Sequence, residues 1–153
     1  MYERILIPTD GSDVAETAID QALDLAERYG AEVHALFVVD TDSLSLTLGG
    51  EQLDRIEQGR FDEMEEVKAK AEEATGYVAE RASERGLDVV EHVSAGRPHE
   101  MVAQYAEGHG IDLVVMGSHG RSGVRRALLG SVTERVLRGT DVPVLVVDAR
   151  EKK

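Results

Sequence analysis

The chain has 153 residues and a mass of 16.7 kDa, a size that suits a single domain around one core. We predict that this domain covers residues 1–148 and that residues 149–153 form a short charged tail. It contains no cysteine, which excludes disulfides, thiolate metal sites and cysteine nucleophiles. Its formal charge is −13 and no apolar stretch is long enough to cross a bilayer, so we expect a cytoplasmic protein that binds neither nucleic acid nor membranes.

Five short apolar runs in the sequence predict β-strands. They are rich in β-branched residues and bounded by turn residues, as strands usually are. Between them, apolar residues recur at helical spacing, in 14–26, 64–82, 101–106 and 132–137. This alternation predicts an α/β fold in which a five-stranded parallel open sheet carries helices on both faces. The predicted strands cover residues 5–7, 33–39, 89–93, 113–116 and 144–147.

Residues 41–59, after the second predicted strand, do not fit this alternation. They contain scattered leucines and a Gly-Gly pair, and they show no clean period. Long loops in small domains are often functional and often merely connecting. The segment is therefore either a flap beside a functional site or a long connection.

The third predicted strand has a feature of a sheet edge, and the fifth would need a cover if it also lies at an edge, as the last strand of such a sheet often does. The third, VVEHV, mixes polar with apolar residues, which suits an edge with one solvated side. The fifth, VPVLVVD, is almost continuously apolar, so an exposed outer edge there would favour aggregation. A second copy of the chain could cover that edge by pairing the strand with itself across a twofold axis. A helix of the same chain could cover it equally well.

Two loops follow predicted strands at their carboxyl ends, where open parallel sheets bind ligands. The first is PTDGS, residues 8–12, and the second is the glycine loop, residues 117–131. Glycines have no β-carbon to keep a ligand from the main chain, and they adopt left-handed conformations that form anion-binding nests. The glycine loop also concentrates positive charge in an acidic protein, through Arg121, Arg125 and Arg126.

The end of the glycine loop has the features of a phosphate site. Ser131 and Glu134 match a capping box, which predicts that Ser131 caps a helix starting beside Gly130. The N–H groups there, together with the Ser131 and Thr133 hydroxyls, would bind phosphate oxygens. The glycine loop is therefore interpreted as a phosphate cradle. The competing interpretation is that the glycines serve turn geometry alone and the arginines pair with surface carboxylates.

Two common nucleotide motifs do not match the glycine loop. It has no lysine for the GxxxxGK[ST] pattern, and GxGxxG is absent. Instead, Gly117-x2-Gly120-x9-Gly130-Ser131 resembles the nucleotide motif of the universal stress protein family. The similarity continues over nearly the whole chain, through MYERILIPTDGSDVAETAIDQAL as first strand and helix, LFVVD as second strand, SAGRPHEMV as third crossover and DVPVLVV as closing strand.

This resemblance implies a Rossmann-like sheet with strand order 3-2-1-4-5, in which both loops meet at one crevice. It implies bound ATP, or AMP or ADP, accompanied by Mg²⁺ or Mn²⁺. Asp10 would approach the ribose or a divalent ion bound to the phosphates. Members of the family also commonly form homodimers through the last strand, here Val142 to Val147.

The resemblance also assigns the remaining residues of the site. Pro8 and Thr9 would line the pocket beside Asp10, while Val39 and Met116 would contact the adenine. The ribose and phosphates would lie along the glycine loop. The residues implied there are Gly117, His119, Gly120, Arg121, Gly130, Ser131, Val132 and Thr133.

Hydrolysis of ATP requires more than binding, namely a positioned water, a base and compensation for charge on the phosphates. The candidate parts are Asp10 as a metal ligand, His119 within the loop, and Arg121 or Arg125 as phosphate clamps. Asp10 could equally cap the first helix, and His119 could be an ordinary surface residue. We therefore predict a homodimeric ATP-binding regulator in stress response, with at most slow hydrolysis and an unidentified protein partner. The alternatives are an ATPase or nucleotidyl-transferring enzyme on the same fold, and a dimeric interaction protein without nucleotide. The sequence contains four other histidines, and they do not have the spacing of metal ligands. We interpret them as structural or solvated residues. They are His34, His92, His99 and His109.

The balance of charged residues suggests a further property. Only four of the 17 basic residues are lysine, against 30 acidic residues, a composition that resembles proteins from a high-salt cytoplasm. The other interpretation is an ordinary acidic surface. Thermal melts over a range of salt concentrations distinguish them, because screening should stabilise a protein with strong self-repulsion.

Overall fold

The computed structural model describes residues 2–10, 13–40, 65–118 and 130–148. The predicted segment 41–59 lies outside these ranges. Strands and helices alternate along the described residues, as the sequence predicted. The strands are β1 (Arg4–Pro8), β2 (Glu32–Asp40), β3 (Val89–Gly96), β4 (Leu113–Gly117) and β5 (Val144–Val147). The helices are α1 (Asp13–Tyr29), α2 (Glu65–Glu84), α3 (Pro98–Gly108) and α4 (Ser131–Gly139).

The five strands form one parallel sheet with the order β3-β2-β1-β4-β5. This confirms the order that the family resemblance implied. Ile5, Leu6 and Ile7 of the central strand are fully buried, as expected for a strand covered on both faces. The chain adds β2 and β3 on one side of β1 and then β4 and β5 on the other, so the strand order reverses between β1 and β4.

Helices cover both faces of the sheet, which confirms the predicted architecture. α1 and α2 share a buried cluster with one face, and α3 and α4 share another with the opposite face. Each large side chain that is buried this way stabilises the fold by about 1.5–3 kcal/mol. None of the helices in the described ranges has the length and apolar composition needed to cross a bilayer. The first cluster includes Ile5, Val33, Val115, Leu23 and Val78, and the second includes Leu6, Leu36, Met116, Val102 and Val136.

β3 and β5 are the edge strands, as the sequence of β3 suggested and as the strand order of the family implied for both. On β3, Val90, Glu91 and His92 are exposed to solvent, which explains the polar residues of that run. On β5, Leu145 is 37% exposed although the run is apolar. The described part of the chain places no further strand beside either edge.

The hydrogen bonds of β5 define which of its backbone groups face outward. The carbonyl of Pro143 accepts from the Val114 N–H at 2.9 Å, and the carbonyl of Val147 accepts from the Ser118 N–H at 2.8 Å. Backbone groups alternate in direction along a strand. The N–H and carbonyl groups of Val144 and Val146 therefore point away from β4, toward the open edge.

Candidate functional site

A crevice opens where β1 and β4 separate. Their register pairs Ile5 with Leu113 and Leu6 with Val114. Beyond these pairs, β1 continues along β2 as far as Pro8, and β4 continues along β5 as far as Gly117. The separation lies at the carboxyl ends of the strands and at the point where their order reverses, which is where open α/β sheets bind ligands.

The first loop enters the crevice from β1. Pro8 is the last residue of this strand, and the N–H of Thr9 donates to the Leu36 carbonyl at 2.9 Å. Thr9 is buried and Asp10 is half-buried. Pro8, Thr9 and Asp10, the three residues that were predicted here, therefore follow one another at the carboxyl end of β1, beside the crevice.

The two residues predicted to contact adenine lie on opposite faces of the sheet. Val39 of β2 packs with Ala71 and Ala74 of α2. Met116 of β4 packs in the cluster of α3 and α4. Both side chains are already buried by the protein. A ligand that contacts both positions would therefore meet their main chain or the strand ends rather than two facing side chains.

The two ends of the glycine loop are joined to each other. The N–H of Gly130 donates to the Ser118 carbonyl at 2.7 Å. The hydroxyl of Thr133 donates to the Gly117 carbonyl at 2.8 Å. We call these four residues the neck. They bring the end of β4 against the start of α4, so both described halves of the glycine motif lie together beside the crevice.

The predicted cap of α4 is wrong by one residue. Gly130, and not Ser131, is the N-cap, because the Glu134 N–H donates to the Gly130 carbonyl at 3.0 Å and Ser131 is already helical. The Glu134 carboxylate does not complete a capping box and instead bonds Arg138 at 3.0 Å. Ser131, Val132 and Thr133 are thus the first three helical residues, whose N–H groups have no acceptor within the helix.

The predicted left-handed conformation of the motif glycines is also not found where the structure describes them. Gly130 has φ −68° and ψ 158°, a conformation open to any residue. Glycine is therefore not required at position 130 by backbone strain. Among the described residues, the glycines with positive φ all lie outside the motif, at Gly30, Gly86, Gly96 and Gly110.

Several predicted site residues lie outside the described ranges. They belong to the middle of the glycine loop and include the candidate phosphate ligands of positive charge. They are His119, Gly120, Arg121, Arg125 and Arg126. Their predicted roles remain expectations from the motif.

Carboxylates surround the carboxyl edge of the sheet. Asp10 follows β1, Asp40 ends β2 and Asp148 follows β5. Within the described ranges, no three His, Cys, Asp or Glu side chains come together as metal ligands. A divalent ion beside Asp10 would therefore take most of its ligands from phosphates and water, as Mg²⁺ commonly does. Among the described residues, Asp10 could thus serve as one oxygen ligand of a metal that is carried by a nucleotide.

A cavity of about 340 Å³ lies at the opposite, amino-terminal edge of the sheet. It is lined by Glu3, Arg4, Glu32 and Asp88 together with neighbouring backbone. Its arginine is already engaged, since Arg4 Nε lies 3.7 Å from the Glu32 carboxylate. The cavity includes none of the predicted site residues, so the crevice remains the candidate site.

Three histidines that are far apart in the sequence surround Tyr105. His34 Nδ1 lies 2.7 Å from the Tyr105 hydroxyl, and its Nε2 lies 2.8 Å from the Glu32 carboxylate. The Tyr105 ring stacks on His109 with centroids 3.7 Å apart and lies 5.2 Å from His92. The cluster joins β2, β3 and α3. Local sequence gave no signal of it, because the partners come from three elements.

Acidification is expected to lower the free energy of unfolding through this histidine cluster. His92 is exposed along part of its surface, but partial desolvation of its ring beside Tyr105, followed by the charge of His109, lowers its pKa from the ordinary value of 6.5. The unfolded state therefore binds this proton more tightly, so the free energy of unfolding is highest above pH 6.5 and falls as the pH drops below it. In a nuclear magnetic resonance titration, the His92 pKa should lie below 6.5 and rise in His109→Gln. His99→Gln, outside the cluster, should leave it unchanged, and an ordinary His92 pKa in the wild type would contradict this expectation.

Known proteins match both the sequence and the fold. The model of the universal stress protein family matches residues 1–148. Universal stress protein MJ0531 of Methanocaldococcus jannaschii is 37% identical over 154 residues, covering 100% of this chain and 86% of the relative. The solved structure of protein MJ0577 from the same organism is 30% identical, covers 99% of each chain and has a TM-score of 0.80. A universal stress protein solved in complex with cAMP matches the fold at 24% identity and a TM-score of 0.66, over 96% of this chain and 97% of that one. The chain belongs to the universal stress protein family.

Proposed function

We propose that this protein is a cytoplasmic stress-response regulator that binds ATP and hydrolyses it at most slowly. The observation that carries the proposal is the neck, where the ends of the Gly117-x2-Gly120-x9-Gly130-Ser131 motif meet beside the crevice between β1 and β4. Membership of the universal stress protein family supports it. The complex of a protein of this fold with cAMP supports an adenine nucleotide as the ligand class.

In this proposal the phosphates lie against the start of α4. The N–H groups of Ser131, Val132 and Thr133 have no acceptor within the helix, and the positive end of the helix dipole favours anions. The exposed Ser131 hydroxyl adds a donor. His119, Gly120 and Arg121 would approach the same phosphates from the segment outside the described ranges.

The other side of the crevice would bind the ribose and the metal. Pro8 and Thr9 would line the pocket, and Asp10 would contact the ribose or an Mg²⁺ or Mn²⁺ ion carried by the phosphates. Such an ion would also offset the repulsion between the phosphates and the carboxylates of this edge. The adenine would lie near the main chain of Val39 and Met116.

The bound nucleotide would act through protein contacts. We propose a homodimer formed by Val142 to Val147, because β5 is an apolar edge strand with outward-facing backbone groups. The nucleotide would bias this dimer or the surface offered to a further protein partner, whose identity the site does not specify.

Binding and turnover should be measured on the same preparation. Calorimetric titration with Mg-ATP should show saturable binding, and phosphate release should be far slower than the roughly 1–1000 s⁻¹ that is typical of enzymes. Fast and saturable turnover would favour an ATPase or a nucleotidyl-transferring enzyme on this fold. Absence of binding at both low and high salt would leave a dimeric interaction protein.

A further inference from the structure

We infer that Thr133 is a positioning residue of the nucleotide site, whose hydroxyl joins the two sides of the neck and fixes the donors at the start of α4. This inference rests on the proposed function, because it assigns a role within that site. It replaces the expectation from sequence that the Thr133 hydroxyl donates to phosphate alongside the Ser131 hydroxyl.

The Thr133 hydroxyl already has a partner. It donates to the Gly117 carbonyl at 2.8 Å, and the residue is only 3% exposed. Because a hydroxyl carries a single proton, donation to a phosphate would break this bond and leave the carbonyl without its partner, which is unfavourable. Ser131 is exposed on the first turn of the same helix. The hydroxyl that is accessible to a ligand is therefore that of Ser131.

The Thr133 bond connects separate elements. Threonine hydroxyls within helices usually bond a carbonyl of the preceding turn, as Thr75 of α2 does with the Ala71 carbonyl at 3.1 Å. Thr133 is the third residue of α4, so no complete helical turn precedes it. Its bond instead spans 16 residues of sequence and fixes the start of α4 to the end of β4.

Both sides of the neck are fixed to the rest of the fold. On the strand side, the Ser118 N–H donates to the Val147 carbonyl at 2.8 Å. On the helix side, Val136 is fully buried in the cluster of α3 and α4. The Thr133 hydroxyl therefore sets the spacing between Gly117 and the N–H groups at the start of α4. Donors that are fixed in advance do not have to be ordered on binding, which favours affinity.

Three variants separate this role from a general contribution to stability. Thr133→Val keeps the branched shape and removes the hydroxyl, whereas Thr133→Ser keeps the hydroxyl. Val136→Ala is the matched control, because it weakens the same helix from its buried face without altering the neck. Hydrogen exchange of the Gly130 amide reports on the neck in nucleotide-free protein. The Ile111 amide, which donates to the Ala106 carbonyl at 3.0 Å, is the reference at the far end of β4.

Relative to the Ile111 amide, the Gly130 amide should exchange at least about tenfold faster in Thr133→Val than in wild type or Val136→Ala. Thr133→Ser should stay within about threefold of wild type. The dissociation constant for Mg-ATP should rise about tenfold in Thr133→Val and change less than about threefold in Thr133→Ser, if the loss of preorganisation is what weakens binding.

Unchanged exchange of the Gly130 amide in Thr133→Val would overturn the inference. Faster exchange with unchanged Mg-ATP affinity would also overturn the positioning role, as would equal losses of affinity in Thr133→Val and Thr133→Ser. If the wild-type protein binds no Mg-ATP, the proposed function fails and the positioning role fails with it. The exchange result in nucleotide-free protein would still show whether Thr133 joins the neck, so the two failures are distinguishable.

Discussion

Gly130→Val is expected to weaken the binding of Mg-ATP at least about 100-fold, which corresponds to about 2.7 kcal/mol. Gly130 is the N-cap of α4 and has φ −68° and ψ 158°, so valine at this position strains no backbone dihedral angle. Its added methyl groups would instead occupy the space through which a phosphate approaches the N–H groups of the helix. Because Gly130 is itself buried, the loss of affinity counts only if the Gly130→Val protein is shown to be folded.

Gly139→Val is the matched control for this substitution. It lies at the other end of α4, where an added β-carbon meets nothing within 4 Å, and it should leave the affinity for Mg-ATP unchanged. Calorimetric titration measures the affinity, and thermal unfolding followed by circular dichroism shows whether each variant folds. Wild-type affinity in a folded Gly130→Val protein would contradict the placement of the phosphates at the start of α4.

Val146→Pro is expected to convert a dimeric protein to a monomer, with a dimer dissociation constant raised at least about 100-fold. The carbonyls of Pro143 and Val147 face β4, and backbone groups alternate in direction along a strand. The Val146 N–H therefore points toward the open edge of β5. Proline removes this outward donor and leaves the ladder between β4 and β5 intact. A dimer that pairs the two β5 edges would lose that hydrogen bond in both copies and would also meet the proline rings.

Val146→Thr keeps the N–H group and the branched shape, so it should remain dimeric. Sedimentation equilibrium at several protein concentrations measures the dissociation constants, and the free energy of unfolding of the isolated monomer checks that the sheet is intact. A wild-type protein that is monomeric, or a Val146→Pro protein that dimerises as tightly as wild type, would contradict an interface formed by β5.

Hydrophobic periodicity was sufficient to predict the elements but not their arrangement. Ile5, Leu6 and Ile7 form an uninterrupted apolar run and are buried on both faces of β1. The run of β5 is equally apolar, yet this strand lies at an edge and leaves Leu145 37% exposed. A continuous apolar run therefore does not distinguish an inner strand from an edge strand. The order of the strands came from the family resemblance, because it depends on long-range pairing that no local pattern encodes.

The start of α4 shows where a local motif fails. The spacing of Ser131 and Glu134 matches a capping box, but Glu134 is also four residues before Arg138 and bonds it at 3.0 Å. The helix begins one residue earlier than the motif predicts, with Gly130 as its N-cap. Glu134 is then the fourth helical residue, one position beyond the third helical residue that closes a capping box.

The remaining features of the site depended on contacts between distant residues. The Thr133 hydroxyl bonds a carbonyl 16 residues away, and the Tyr105 hydroxyl meets His34 across 71 residues. A sequence pattern assigns a hydroxyl to a motif by its position in the chain. It does not reveal whether the fold has already given that hydroxyl a partner.

Nucleotide binding in the crevice is tested by purifying the protein without added nucleotide, denaturing it and identifying any released small molecule by mass spectrometry. The wild type should release an adenine nucleotide at about one molecule per chain; Gly130→Val should release none and Gly139→Val should retain it. No nucleotide released from the wild type, together with no binding when Mg-ATP is titrated into it at low and high salt, would contradict nucleotide binding by this protein.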